Sequence, residues 1–396
     1  MSTGYFSQDE YERRWDEVHT AMVTQGLDTA VVWGRSAGTY ERCGDVLYLV
    51  NYYGNMSGQG LDTPISTARG IAAVILRRGQ TPELQADEPL PRTDLIATDR
   101  VQWSRNTVKA VADSLQASGT SGRVGLVGTD FFPMKYWRQL ESMTSDIEWV
   151  PADDLIRELR KYKSKQERDA LRRGGEIATA ALDVLIKALL AGETEAEAAG
   201  QAAREVFRGG GHVHMIPISH GEHILNFVSE PIAAYNHESA RQGDIIRGWV
   251  YGPMFQGYWI DPGRTTVRGR PTNSQKEMIE TCGGIVEKCI AAIRPGVEVQ
   301  EVARLGERLF EEAGGEKDQA AEKFPLYGHG IGLFFEKPYI STTMGEPGDV
   351  FEENMAFGVE AFLARTGVGS AGFEQNILVA AEGVELLTTS PMYSWD

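Results

Sequence analysis

From residue 166 onward the chain runs twice through one pattern: a pair of long helical segments, then a run of strands. Helical periodicity covers about 166–191 and then "TEAEAAGQAAREVFRGGG". Strand alternation follows in "VHMIPISHG", "PIAAYN" and "GDIIRGWVYGPMFQGYWIDPGRTTV". Two more helices are predicted at 274–293 and 297–314, with "RPGVEV" as the turn between them. The remainder is strand-rich again, at 327–340, 353–364 and 372–388. Amphipathic helices and half-apolar strands must bury their apolar faces against one another. This order therefore predicts an α+β domain with internal pseudo-symmetry: a central antiparallel sheet flanked by helices.

The N-terminal part alternates differently. An amphipathic helix is expected at 9–26, strands at 29–34, 47–54 and 69–79, a helix at 106–119, a strand at 122–128 and a helix at 132–143. Interleaved strands and helices indicate an α/β domain. "GRSAGTYERCG" has neither the P-loop nor the dinucleotide-binding spacing. The polar stretch "RKYKSKQERD" suggests a division into domains 1–155 and 156–396. Two cores suit a chain of 396 residues.

A net charge of -17 disfavours nucleic acid or an anionic membrane as partner, since both call for a basic footprint. No apolar run reaches the roughly 18 residues of a membrane span, and "MSTGYFSQDEYERRWDEVHT" has no apolar signal core. A cytoplasmic location is the expectation. Cys43, Cys282 and Cys289 form no disulfide framework and no zinc spacing. Cys282 and Cys289, seven apart on a helical pattern, read as buried core thiols.

Four polar residues occupy strand positions where an apolar residue is the norm: Asp261 in "YWIDPG", His329 in "YGHGIG", Glu360 in "FGVEAF" and Glu374 in "AGFEQN". A buried carboxylate is costly unless it is paired or bound to a metal. One structural alternative pairs Glu360 with Arg264 or Arg365, and Glu374 with Lys337. The other is a shared divalent cation; three carboxylates and one imidazole suit Mn, Fe, Co or Zn. Aromatic residues crowd the same segments. Trp249, Tyr251, Tyr258, Trp259, Phe334 and Phe335 read either as strand core or as the lining of a small closed pocket, an aromatic box for a cationic group.

The ordered motifs "GD…GY.ID..RT", "GHGIG", "NMAFGVE" and "GFEQNILV" resemble the pita-bread family of creatinase, aminopeptidase P, prolidase and methionine aminopeptidase. "IRELRKYKSKQERDALRRGGEIA", "RPGVEVQEVA" and "VLYLVNYYG" extend the resemblance over most of the chain. It implies a creatinase-like N-terminal domain, a C-terminal pita-bread domain and a homodimer. It also implies five metal ligands, of which Asp261, His329, Glu360 and Glu374 match four. The first aspartate of the pattern should stand seven residues before Gly257–Tyr258, where this chain has Val250, with Trp249 and Tyr251 beside it. In the family that aspartate serves one of two metals, so its loss implies a mononuclear site. The family's catalytic histidine after the "GHGIGL" motif is also replaced, by "LFFEKPYI". His223 and His237 are the candidate proton carriers, with Glu360 as a carboxylate alternative.

The resulting expectation is a hydrolase of a C–N, amide-type bond in a small non-peptide or very short peptide substrate, using one divalent metal. The alternatives are a lyase resembling the dimethylsulfoniopropionate branch of the family, an Xaa-Pro peptidase, or a non-catalytic binding homologue.

Overall fold

The structure is a computed structural model and describes residues 4–35, 44–54 and 62–395; Cys43 and most of "GRSAGTYERCG" lie outside them. The chain divides into two compact units, with the division between Arg160 and Lys161.

The first unit contains α1 (Gln8–Thr24), β1 (Thr29–Arg35), α2 (Gly44–Val50), β2 (Ile71–Arg77), β3 (Glu83–Ala86), β4 (Val101–Trp103), α3 (Thr107–Ala117), β5 (Gly122–Val127), α4 (Met134–Met143), β6 (Ile147–Pro151) and α5 (Asp154–Arg160). Its strands form one mixed sheet in the order β4-β3-β2-β1-β5-β6. Val31, Ile75 and Val124 from the sheet pack with Val108, Val111 and Leu115 of α3. One expectation fails here: 47–54 is not a strand, since 44–50 is α2 and 51–54 is irregular. An unbroken apolar run fits either element. Tertiary contacts favour the helix. Its last-turn carbonyls, Tyr48 O and Leu49 O, accept from Arg14 Nη1 and Trp15 Nε1 at 2.8 Å each, which satisfies groups that a helix end leaves open.

The second unit runs α6 (Lys165–Ala191), α7 (Glu195–Arg208), β7 (Ile218–His220), β8 (Ile245–Trp249), β9 (Gly252–Phe255), β10 (Tyr258–Ile260), β11 (Gly263–Val267), α8 (Asn273–Ala292), α9 (Val299–Glu312), α10 (Gln319–Lys323), β12 (Gly328–Ile331), β13 (Phe335–Tyr339), β14 (Ala356–Arg365), β15 (Gly369–Val379) and β16 (Val384–Leu386). Helix pair, strands, helix pair, strands is the predicted order. Capping boxes start three of the helices: Ser164 with Glu167, Thr194 with Glu197 and Thr272 with Gln275. Eight strands form an antiparallel sheet in the order β13-β12-β14-β15-β11-β8-β7, with β16 paired to β15. "PIAAYN" is a turn and irregular chain rather than a strand, and "VHMIPISHG" contributes only β7.

Alternation along β14 and β15 gives the sheet two different faces. Val359, Ala361 and Leu363 of β14 and Ala371 and Phe373 of β15 join a core with α8 and α9 that includes Cys282 and Cys289. Gly358, Glu360, Phe362, Gly372 and Glu374 alternate with them and turn to the other face.

Candidate metal centre

Strand register assembles the four polar residues. Glu360 of β14 lies directly across from Glu374 of β15. Glu374 is also level with Gly263 of β11, two residues after Asp261. His329 of β12 lies across from Gly358. His329 Nε2 thus comes to 3.5 Å from Glu374 Oε1, 3.7 Å from Asp261 Oδ2 and 3.8 Å from Glu360 Oε1. Asp261, His329 and Glu374 each present one ligand atom, and these three atoms lie within 4.8 Å of one another. Glu360 stands at the rim of that triad. A Cβ on residue 358 would be 2.4 Å from Glu374 Oε1 and 3.2 Å from both Asp261 Oδ1 and His329 Cε1. Only glycine leaves this hollow open.

All four side chains are buried, at 7% exposure or less. The outward atoms of Asp261, Glu374 and His329 are held by the protein. Asn376 Nδ2 donates to Asp261 Oδ1, and the Asp261 amide donates back to Asn376 Oδ1 at 3.1 Å. Trp249 Nε1 donates to Glu374 Oε2 at 2.9 Å. His329 Nδ1 is 3.2 Å from Gly330 O; a proton there leaves Nε2 with a free lone pair facing the carboxylates. The inward atoms Asp261 Oδ2 and Glu374 Oε1 are buried and have no hydrogen-bond partner.

The charge is equally one-sided. Burial, then Glu374, push the Glu360 carboxyl well above the usual carboxylate range. Burial, then Asp261, do the same to Glu374. The basic residues offered by the sequence are engaged elsewhere. Arg264 bonds the carbonyls of Gly263, Glu374, Ser390 and Pro391 and the Gln375 side chain. Arg365 pairs with Glu277 and Lys337 with Glu346. The structural ion-pair alternative is therefore not what forms. Three oxygen donors and one imidazole nitrogen with inward lone pairs fit a divalent cation.

The place of the absent aspartate is apolar. Counting back from Gly257–Tyr258 selected Val250. Val250 is fully buried. Its neighbour Trp249 is the residue whose side chain reaches Glu374.

The candidate histidines are not brought to this centre. His220 pairs with Ile246 of β8, three residues before Trp249, which is about 10 Å along a strand. His223 lies beyond it, lining a polar cavity of ≈ 540 Å³ with His220 and Asp244. His237 is exposed beside the first turn of α7, where the Glu195 amide bonds Glu238 O. Of the three proton-carrier candidates, only Glu360 belongs to the cluster.

The aromatic candidates separate by strand face. Tyr258 donates its hydroxyl to Glu167 Oε1 at 2.8 Å, away from the centre. Trp259, next in sequence, packs edge-on against Phe334 and Phe335, with ring centroids at 5.0 and 5.5 Å, and lies 6.1 Å from Tyr251. Phe335 is 4.4 Å from the His329 ring. Trp249 stacks on Phe362 at 5.5 Å, with Phe227 edge-on at 5.4 Å. Rings this close touch one another, so they form a packed wall beside the acidic cluster rather than an open box around a cation. The sequence reading missed Asn376 and Phe227. Asn376 was findable, because it follows Glu374 by two residues and so shares its face.

An antiparallel sheet backed by helices on one face and carrying an Asp-His-Glu cradle on the other is the arrangement of the pita-bread class of proteins. The chain belongs to metallopeptidase family M24, whose model matches residues 169–381. It is 30% identical over 248 residues to a probable dipeptidase PepE of Mycobacterium bovis; the match takes in 61% of this chain and 62% of that relative's length. It is 25% identical over 258 residues to an Xaa-Pro dipeptidase of Pyrococcus horikoshii, covering 65% of this chain and 70% of the relative. Among solved structures, an Xaa-Pro dipeptidase from Bacillus anthracis superposes with a TM-score of 0.78 at 20% identity, covering 97% of this chain and 100% of that one. Dipeptidase PepE from Mycobacterium ulcerans gives 0.74 at 24% identity, with 98% of each chain covered. At these identities the structural matches establish the fold.

Proposed function

We propose that this chain is a metal-dependent hydrolase that cleaves a C–N, amide-type bond in a small substrate, using one divalent cation held by Asp261, His329 and Glu374 with Glu360 at their rim. The observation that carries this reading is the pair of buried, unpartnered inward oxygens, Asp261 Oδ2 and Glu374 Oε1, facing His329 Nε2. A bound cation would supply Lewis acidity that polarises a carbonyl or a water. The chain's own residues do the rest. Asn376, Trp249 and Gly330 O fix the orientation of Asp261, Glu374 and His329. Glu360 is the group suited to hold and return a proton, because it is the carboxyl of the cluster that stands outside the Asp261-His329-Glu374 triad and still lies 3.8 Å from His329 Nε2. The wall of Trp259, Phe334 and Phe335 excludes water on one side and offers an apolar surface to the substrate. A homodimer belongs to the same reading.

Family membership and the names of the relatives favour a second reading, cleavage of Xaa-Pro dipeptides. The first is preferred because Trp249 and Phe227 make one side of the cluster apolar, where a peptide's polar backbone would lack partners. Product analysis on a panel of small amides, creatine-like compounds, sulfonium compounds and Xaa-Pro dipeptides, with Mn, Fe, Co or Zn supplied, tests both. Metal-dependent amine release from small amides is the expected result. Cleavage confined to Xaa-Pro dipeptides would favour the second reading, and elimination products without C–N cleavage would exclude both.

A further inference from the structure

Trp249 is placed with unusual tightness. Its ring is 2% exposed and lies across two glycines of neighbouring strands. A Cβ at Gly263 would come 1.9 Å from Trp249 Cε2, and one at Gly372 would come 2.8 Å from Cη2. Phe362 stacks on the ring, and Phe227 closes it edge-on. Three elements thus hold the indole so that Nε1–H meets Glu374 Oε2 at 2.9 Å. The other oxygen, Oε1, is left without a partner and faces His329 Nε2.

We propose that Trp249 is a positioning residue of the cation site: its N–H turns one Glu374 oxygen toward the cluster and occupies the other, while its ring fills the space beyond that oxygen. This inference rests on the single-cation reading above. A carboxylate with both oxygens free can rotate, or can bridge two cations. Here the outer oxygen is committed to an indole N–H, and the surface behind it is hydrocarbon. Among the described residues no second cluster of His, Cys, Asp or Glu stands on the far side of that bond. Trp249 therefore leaves Glu374 a single oxygen, Oε1, that would be offered to a cation. The chemistry is that of an outer-sphere hydrogen bond orienting a metal ligand.

Trp249→Phe keeps a ring between Phe362 and the glycines and removes the donor. Binding of Mn²⁺ to the purified, metal-stripped full chain is measured by calorimetry for the parent, Trp249→Phe, Glu374→Gln and the double variant. Far-ultraviolet circular dichroism and melting temperature report folding. The expected result is one Mn²⁺ per parent chain and roughly 10–100-fold weaker binding in Trp249→Phe, with little further loss when Trp249→Phe is added to Glu374→Gln. An affinity in Trp249→Phe within about twofold of the parent overturns the role of Trp249 alone. So does an equal loss in both backgrounds, since the effect then does not pass through Glu374. A parent that takes up no Mn²⁺, Fe²⁺, Co²⁺ or Zn²⁺ overturns the function proposed above, and this inference with it.

Discussion

Between Trp249 and strand β11 there is room for a hydrogen atom at position 263 and for nothing larger. Gly263→Ala must displace the indole or part the strands. It is expected to cost about 1–3 kcal/mol, the usual range for overpacking a filled core, and to weaken cation binding along with it; urea denaturation and Mn²⁺ titration read the two effects. An unchanged urea midpoint would show that the indole is not held as described. Glu195, at the start of α7, gives the protein a pH dependence of its own. Burial pushes its carboxyl from 4.5 up to about 7, against the Asn236 amide and Ser229 hydroxyl that donate to it. His220, 3.3 Å away, is lowered by burial and so gives little charge to offset this. The folded chain keeps the Glu195 proton where the unfolded chain has released it. Its contribution to stability is therefore fully present below 4.5 and is lost as pH rises through about 7. Glu195→Gln should flatten that slope in urea midpoints measured across this window, and an unaltered slope would contradict the assignment.

At the scale of elements, the site depends on strand register, because a slip of one residue would turn Glu360 and Glu374 into the helix-packed core. A buried ion pair helps to hold the sheet in place. Arg247 of β8 bonds Asp318, the N-cap of α10, and Ser370 of β15 joins both. Neither charged side chain exceeds 1% exposure. Asp318→Ala would leave the guanidinium buried and unpaired, so a loss of about 3–5 kcal/mol is predicted in chemical denaturation; a loss under 1 kcal/mol would mean that Arg247 finds water or another partner. The helix and strand order of the second unit was legible in the sequence because long periodic segments are hard to misread. So were the four polar residues, since each interrupts an apolar or glycine context. Other features were not. The segment 47–54 fits two periodicities, and only Arg14 and Trp15 at its carbonyls decide for α2. The bond from Trp249 to Glu374 leaves no mark on the sequence pattern, because it joins strands that are far apart in the chain. His223 and His237 were chosen by nearness in sequence, whereas β7 leads away from the cluster.

At the scale of the molecule, every residue assigned to the centre lies in the second unit, and the family match of residues 169–381 falls within it. No helix among the described residues is long and apolar enough to cross a membrane. A net charge of -17 is compounded locally by three buried carboxyls, so a cation should stabilise this protein well beyond ordinary salt effects. Saturation at about a hundred times Kd is worth roughly 2.7 kcal/mol, and the melting temperature should rise with added Mn²⁺ and fall with chelator. The most direct measurement is the cation content of the purified chain, by elemental mass spectrometry after equilibration with Mn²⁺ and gel filtration. One ion per chain, lost on Asp261→Ala or His329→Ala, is the predicted result. Two ions per chain, or none together with a melting temperature indifferent to chelator, would contradict it.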